Sequence, residues 1–230
     1  MDRCDMQQAT AAPILVSVLF PSRHRLRSAR ESVASLRDNA SDPAGVEYLI
    51  AVDPDEPDDY ASLAAGDVLV WTAPERWGYL RLHDYYQALA RQARGTWLLI
   101  WNDDARMLSP GWDTVIKRQQ PGVLWFHVNQ AEAGNIFPCW PRAWTDAIGH
   151  IALCWNVDTW IHDVGVLLGK VVRVPVDVLH DRYDVTGGHD DQTAAEGSKI
   201  AYGPNWVYDR PEYVTQRERD AQAVRELTAH

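Results

Sequence analysis

The hydrophobic pattern of the first hundred residues alternates between short apolar runs and amphipathic stretches. Short runs rich in β-branched and aromatic residues predict buried strands at 14–20, 47–52 and 68–71. Between the first two runs, apolar residues recur at steps of three, four and three, at Leu26, Ala29, Val33 and Leu36. That spacing predicts a helix that packs one face against a sheet.

A second amphipathic stretch leads into a strongly apolar run. Apolar residues recur at steps of three and four from Tyr79 to Ala93, which predicts a helix, and Gly95 stands where a left-handed C-terminal cap is expected. The following TWLLIW, residues 96–101, predicts a strand buried on both faces of a parallel sheet. Strands that alternate with helices in this way predict right-handed crossovers and an α/β fold.

The pattern of the second half is less regular. It predicts strands at 123–128 and 171–179 and a helix at 158–168. Beyond Tyr183 the chain is rich in Gly, Asp and Thr. It then closes with a charged segment from Glu212, for which we expect a loosely attached helix.

Length and composition favour one domain, or one domain followed by a tail. The chain has 230 residues, of which 46% are hydrophobic, and this is enough for one sizeable core. Its longest apolar runs fall far short of the roughly 20 residues needed to cross a bilayer. The N-terminus does not resemble a secretion signal, so we expect a cytoplasmic protein without a transmembrane segment.

The charge balance argues against a general nucleic-acid-binding surface. The formal net charge is -10 and the pI is near 5.2, whereas such binding gains from positive potential. A local basic patch remains at Arg23, Arg25, Arg27 and Arg30. This patch leaves binding to DNA possible.

Cysteine and tryptophan usage adds two expectations. Cys4, Cys139 and Cys154 stand far apart without C-x-x-C spacing, so the sequence supports neither a zinc motif nor a disulfide framework. The 11 tryptophans are expected to be mainly core residues, although aromatic faces also occur in sugar-binding sites.

Polar clusters follow three of the predicted strands: residues 21–24 (PSRH), Asp53 and residues 102–104 (NDD). In open α/β sheets, ligands bind outside the carboxyl ends of the strands. Adjacent carboxylates at such a position repel each other unless a cation compensates them. Mg²⁺ or Mn²⁺ does so and leaves coordination positions for substrate phosphates. The alternative for Asp103 and Asp104 is that they cap a turn.

Three longer segments contain these clusters in a fixed order. They are SVLFPSRHR, then EYLIAVD some thirty residues later, then GTWLLIWNDDARMLSPGWD after the amphipathic helix. Together, over residues 14–181, they resemble family-2-type GT-A glycosyltransferases. The resemblance implies a GT-A fold, a Rossmann-like mixed, mainly parallel sheet flanked by helices. It also implies an extension at 1–13, a nucleotide-sugar-binding half at 14–104, an acceptor and catalytic half at 105–182, and a lid loop and tail at 183–230.

The same resemblance implies a set of donor-site residues. The base and ribose of the nucleotide are expected to contact Pro21, Ser22, Arg23 and Asp53. Residues 102–104 correspond to the D-x-D element, with Asn102 in place of the first aspartate. This departure makes Asp104 the expected metal ligand and places Asp103 on the diphosphate or ribose side.

A catalytic base is implied by the segment NVDTWIHDVGVLLG. It resembles the segment that carries the acidic base of inverting members, whose Glu-Asp pair stands here as Val157-Asp158. Asp158 is therefore the predicted base, with Asp163 as the second candidate. The alternative is that Asp158 caps a helix N-terminus, where a carboxylate is stabilised by backbone N–H groups.

Three further positions have weaker sequence support. For Arg81, on the helix before TWLLIW, the resemblance implies a contact with the donor phosphates, which a guanidinium binds through two N–H donors. The alternative is a solvated helix position. His180 ends the last predicted strand, where similar enzymes place a metal-ligating histidine; the alternative is a structural histidine. Residues 189–191 (HDD) form a candidate mobile lid or an ordinary surface loop.

The sequence therefore predicts transfer of a sugar from a UDP-, GDP- or dTDP-sugar, with Mn²⁺ or Mg²⁺, to an acceptor hydroxyl. A base at Asp158 favours inversion, and a retaining enzyme is the alternative. Nucleotidyl transfer is a second possibility, but the sequence lacks the Gly-rich loop that this activity would require after the first strand. A non-catalytic sugar-binding module is a third possibility. The acceptor is left open among a saccharide, a lipid-linked glycan, a protein side chain and a hydroxymethylated base in viral DNA.

Overall fold

A computed structural model describes residues 13–129, 134–182, 186 and 206–228 of the chain. The strands are Val16–Pro21 (β1), Val46–Val52 (β2), Val68–Thr72 (β3), Trp97–Ile100 (β4), Ala105–Met107 (β5), Val123–Val128 (β6), Cys139–Pro141 (β7) and Val171–His180 (β8). The α-helices are Leu26–Asn39 (α1), Leu82–Ala90 (α2), Trp112–Lys117 (α3), Arg142–Ile148 (α4), Val157–Leu167 (α5) and Pro211–Thr228 (α6).

These strands form one mixed sheet in the order β3-β2-β1-β4-β7-β6-β8-β5. The first four strands in that order are parallel to one another. Further along, β7 runs antiparallel to both of its neighbours, β6 and β8 are parallel, and β5 is antiparallel to β8. The predicted α/β class, with a mixed, mainly parallel sheet flanked by helices, is confirmed.

Helices cover both faces of the sheet, which explains the unbroken apolar runs. Successive strand residues point to opposite faces, so Val18 and Phe20 enter one core while Leu19 enters the other. The predicted stripe of α1 packs into the first core, together with Trp112 of α3. Residues of α2, α4, α5 and α6 build the second core. As a result, β2 is buried along its whole length.

Gly95 has a different role from the predicted helix cap. The helix α2 is shorter than the predicted Tyr79–Ala93, because Tyr79–Arg81 forms a 3₁₀ turn before it. Gly95 is not among the residues with positive φ. Instead, a Cβ at this position would lie 2.5 Å from the backbone N of Ser17. The glycine is needed because the chain passes directly against β1 as it enters β4.

Among the strands and α-helices of the described residues, four short ones were not predicted from the sequence: β5, α3, β7 and α4. Their lengths are 3, 6, 3 and 7 residues. Segments of this length contain too few positions to establish a hydrophobic period. Their structure depends on tertiary contacts, such as the pairing of β7 with β4 on one side and β6 on the other.

The charged C-terminal segment is a helix, but it is not loosely attached. It begins at Pro211 and buries Arg217, Asp220, Ala221 and Val224. Near its end, Arg225 Nη2 donates a 2.7 Å hydrogen bond to the carbonyl of Leu167 in α5. The periodicity of this helix is weak because its buried face includes two charged residues, so a hydrophobic pattern could not reveal the attachment.

Side-chain burial agrees with the expectation that the tryptophans are mainly core residues, while Cys4 lies outside the described residues. Cys139 and Cys154 are buried free thiols. The tryptophans that are buried are Trp97, Trp101, Trp112, Trp140, Trp144, Trp155 and Trp160. Within the described ranges, no helix is long and apolar enough to span a membrane.

Candidate active site

A cavity of about 400 Å³ opens at the carboxyl ends of β1, β2 and β4. The strands β1 and β4 are parallel, with Leu19 opposite Ile100, so the loops that follow them become neighbours. The predicted site residues that line this cavity are Pro21, Ser22, Arg23, Asp53, Asn102, Asp103, Asp104, Asp158 and His180.

Ser22 joins the loop after β1 to the loop after β4. Its hydroxyl donates a 2.6 Å hydrogen bond to Oδ2 of Asp103 and lies 2.6 Å from the hydroxyl of Tyr60. On the other oxygen of Asp103, Arg25 Nη1 approaches Oδ1 to 3.1 Å. Burial, followed by the charge of Asp104, raises the pKa of Asp103 above its usual value. Asp103 is thus held in place by protein donors on both oxygens.

Asp104 meets His180 because of the short antiparallel pairing of β5 with β8. Ala105 stands opposite His180 in this pairing, and the backbone N of Asp181 donates to the carbonyl of Asp104 at 2.9 Å. Oδ1 of Asp104 then lies 3.2 Å from Nε2 of His180. Although burial opposes ionisation, His180 and Arg25 hold the pKa of Asp104 below its usual value.

The Asp104–His180 pair fits a divalent cation with an incomplete protein shell. Oδ1 of Asp104 is buried, and no aligned hydrogen-bond donor reaches it from the part of the chain that the structure describes. Those residues contain no group of three or more His, Cys, Asp or Glu side chains suited to one metal ion. A carboxylate oxygen and an imidazole nitrogen are acceptable ligands for Mn²⁺, and the open positions suit phosphate oxygens.

Asp53 is fixed at the end of β2 by two neighbours. Arg23 Nη1 donates to its Oδ2 at 3.0 Å, and the hydroxyl of Tyr85 donates to its Oδ1. Burial and this hydrogen bond raise the pKa of Tyr85 to about 12, so the phenol stays protonated at neutral pH. Arg23 also forms a two-pronged contact with Asp55, at 2.7 and 3.1 Å. The carboxylate of Asp53 is therefore oriented before any ligand arrives.

Asp158 lies in the first turn of α5 and faces the cavity. Its Oδ1 accepts a 2.8 Å hydrogen bond from the backbone N of Thr159, so it also stabilises the helix N-terminus. Burial in the cavity wall raises its pKa above the usual range for aspartate. Asp163, the second candidate base, lies outside the cavity, where it accepts from Tyr208 and lies 3.5 Å from Arg217 Nε.

Arg81 is the predicted donor-site residue that the structure does not bring to the cavity. Its guanidinium donates to Asp84 at 2.6 Å and to Glu75 at 2.9 Å, and it stacks over the Trp77 ring. This is the solvated helix position that the sequence left as the alternative. The basic side chains of Arg25 and Arg182 line the cavity instead.

Several cavity residues were not predicted as site residues from the sequence, including Arg25, Tyr79, Tyr85 and Trp155. Arg25 had one available signal, because it follows Arg23 in the loop after the first strand. Tyr85 was hidden by its position beside the apolar stripe of α2. The candidate lid at 189–191 lies outside the described residues.

Taken together, the mixed sheet, its helices on both faces and the cavity at the strand ends define the GT-A fold. Residues 1–349 of TarS from S. aureus, solved with UDP, match 93% of this chain and 82% of their own at a TM-score of 0.60 and 13% identity. The mannosyltransferase PcManGT from Pyrobaculum calidifontis, solved with GDP-Man and Mn²⁺, matches 95% and 78% at a TM-score of 0.60 and 13% identity.

The likeness lies in the fold rather than in the sequence. No protein-family profile matches the chain, and no curated protein matches it significantly in sequence. Against a longer TarS structure, the match spans 49% of that protein's chain.

Proposed function

We propose that this protein is a glycosyltransferase that uses a nucleoside-diphosphate sugar and a divalent cation, Mn²⁺ or Mg²⁺. One observation carries the proposal: the Asp104–His180 pair, the donor-side residues Ser22 and Asp53, and the half-buried Asp158 line one cavity. Proteins of the same fold have been solved with UDP, UDP-GlcNAc and GDP-Man. The cavity is also large enough for a small ligand.

On the donor side, the proposal assigns the nucleoside to the loops after β1 and β2. Asp53 and Arg23 contact the base and ribose, since both present polar groups at the strand ends. Asp104 and His180 hold the cation, which supplies charge neutralisation for the departing diphosphate. Asp103 orients the same loop through its bonds to Ser22 and Arg25.

On the acceptor side, Asp158 is the general base. Its carboxylate takes the proton from the acceptor hydroxyl while the hydroxyl oxygen forms a bond to the anomeric carbon. The bond from that carbon to the diphosphate oxygen breaks with its electron pair, and the nucleoside diphosphate leaves. Attack opposite the leaving group inverts the anomeric configuration. The raised pKa of Asp158 makes it a better proton acceptor than an exposed aspartate.

A donor panel tests the proposal. The purified protein is incubated with UDP-, GDP- and dTDP-sugars, with Mn²⁺ or with EDTA, and the released nucleoside diphosphate is measured with and without mixed acceptors. We expect release from one nucleotide class, dependent on the cation. Calorimetry with UDP, GDP and dTDP provides the independent measurement. The absence of both release and cation-dependent nucleotide binding would refute the proposal.

A further inference from the structure

The guanidinium of Arg25 faces both carboxylates of the NDD segment. Its Nη1 lies 3.1 Å from Oδ1 of Asp103 and 3.4 Å from Oδ2 of Asp104. Each aspartate is 6% exposed. Two like charges buried side by side destabilise each other unless a cation compensates them. Arg25 provides this compensation from the cavity wall.

The backbone of Arg25 is anchored, whereas its side chain lines the cavity. The residue immediately precedes α1. Its backbone N donates to the hydroxyl of Tyr60 at 3.1 Å, and its carbonyl accepts from the N of Ala29 at 2.9 Å. The long arginine side chain can change rotamer without moving this backbone. Its guanidinium can therefore exchange one anionic partner for another.

A cation held by Asp104 and His180 would compete with Arg25 for the same carboxylate. Arg25 faces Oδ2 of Asp104, and His180 faces Oδ1. With the cation beside one oxygen of Asp104 and the guanidinium beside the other, the two positive charges would repel each other. A diphosphate removes the conflict, because it attracts both and offers a guanidinium two acceptor oxygens.

We propose that Arg25 is a diphosphate-binding residue that pairs with Asp103 and Asp104 before the donor binds and moves to the diphosphate when cation and donor bind. The inference rests on the proposed glycosyltransferase function and adds a coupling between its two ligands. The cation binds weakly alone and tightly with nucleoside diphosphate. Because such coupling is reciprocal, each ligand raises the affinity of the other.

The variant Arg25→Gln tests this coupling through two affinities that change in opposite directions. Titration of Mn²⁺ alone should give binding about tenfold tighter than in wild type, because the competing charge is gone. With saturating Mn²⁺, UDP, GDP or dTDP, whichever binds wild type most tightly, should bind about tenfold or more weakly, because a charged hydrogen-bond donor is lost. Both affinities are measured by calorimetry.

Arg27→Gln is the matched control. The Arg27 side chain is 93% exposed and pairs with Glu31 on the surface of α1. Both affinities should remain at their wild-type values. Arg25→Lys serves if Arg25→Gln does not fold: the retained charge should keep Mn²⁺ affinity within about twofold, while loss of the planar fork weakens nucleotide binding.

Each outcome separates this inference from the proposed function. If wild type binds no nucleoside diphosphate with Mn²⁺, the proposed function itself is wrong. If wild type binds but Arg25→Gln leaves either affinity unchanged, or moves both in the same direction, only the role of Arg25 is wrong. For Arg25→Lys, unchanged nucleotide affinity overturns the role in the same way.

Discussion

Nε1 of Trp160 donates a 2.8 Å hydrogen bond to Oδ2 of Asp220, and both side chains are buried. Trp160 belongs to α5, the helix whose first turn carries Asp158, and Asp220 belongs to α6. The other oxygen of Asp220 accepts from Gln216 at 2.8 Å and lies 3.3 Å from His150. The C-terminal helix is therefore joined to the wall of the candidate active site by a buried polar contact.

Replacing Asp220 with alanine should lower the free energy of unfolding by about 2–3 kcal/mol, because it leaves the indole N–H of Trp160 buried without its acceptor. Urea denaturation measures the change. Asp209→Ala is the control, since Asp209 accepts a 2.9 Å bond from the indole of Trp206 but is exposed. Its effect should stay within about 0.5 kcal/mol. Equal losses in the two variants would show that burial of the contact does not matter.

Gly95→Ala should destabilise the fold by about 1–3 kcal/mol, because the added methyl group would overlap the backbone of β1. The effect is measured by thermal or urea unfolding. Gly134→Ala is the comparison, because a Cβ there has no neighbour within 4 Å among the described residues. We expect it to be nearly neutral. A neutral Gly95→Ala would mean that β1 and the segment before β4 are less closely packed.

The metal assignment predicts that Asp104→Asn and His180→Ala each weaken Mn²⁺ binding by at least about tenfold and reduce turnover in parallel. Calorimetric Mn²⁺ titration is the direct measurement. His127→Ala is the matched histidine control, because His127 is half-exposed and lies 3.4 Å from an exposed aspartate, Asp177. If both site variants bind Mn²⁺ with wild-type affinity, Asp104 and His180 are not its ligands.

The base assignment predicts that Asp158→Asn lowers kcat by about 10²–10⁴-fold and leaves donor affinity unchanged. The amide retains the size of the carboxyl group but cannot accept the acceptor proton. Steady-state rates and nucleotide calorimetry separate the two effects. Asp163→Asn should keep most of the turnover, since Asp163 lies outside the cavity. If Asp158→Asn is nearly as active as wild type, another group is the base.

The pH profile follows from the direction of the Asp158 shift. Burial raises the pKa of this carboxyl in the folded protein, and only the deprotonated form accepts a proton. The value of kcat should therefore fall as the pH drops through the raised pKa, at a higher pH than the usual aspartate value of about 3.9. Mn²⁺ binding is measured over the same range to exclude metal loss. An acid limb at or below the usual value would contradict the assignment.

Local pattern was enough to identify the main strands and helices and the polar residues at the strand ends. The runs at 14–20, 47–52 and 96–101 became β1, β2 and β4 because burial on both faces requires continuous apolar residues. Chain direction then places residues 21–24, Asp53 and residues 102–104 at one edge. Their convergence is a consequence of parallel strands, so it could be predicted without coordinates.

The local sequence pattern could not predict the position of Arg81 or the partners of Arg25. Both arginines lie near the start of a helix after a predicted loop, and the sequence gives them similar surroundings. Arg81 pairs with Asp84 and Glu75 away from the cavity, while Arg25 lines the cavity and pairs with Asp103. The difference lies in which way each side chain points once its helix is packed.

The amino-acid sequence by itself determined the α/β class, the main elements and the chemistry at the ends of the strands, because these depend on the local spacing of apolar and polar residues. Tertiary structure alone decided that Asp104 meets His180, that Asp158 rather than Asp163 faces the cavity, and that Gly95 lies against β1. Such contacts depend on strand order, register and helix packing. The contacts join residues that are far apart in the sequence, so a local pattern of apolar and polar residues cannot predict them.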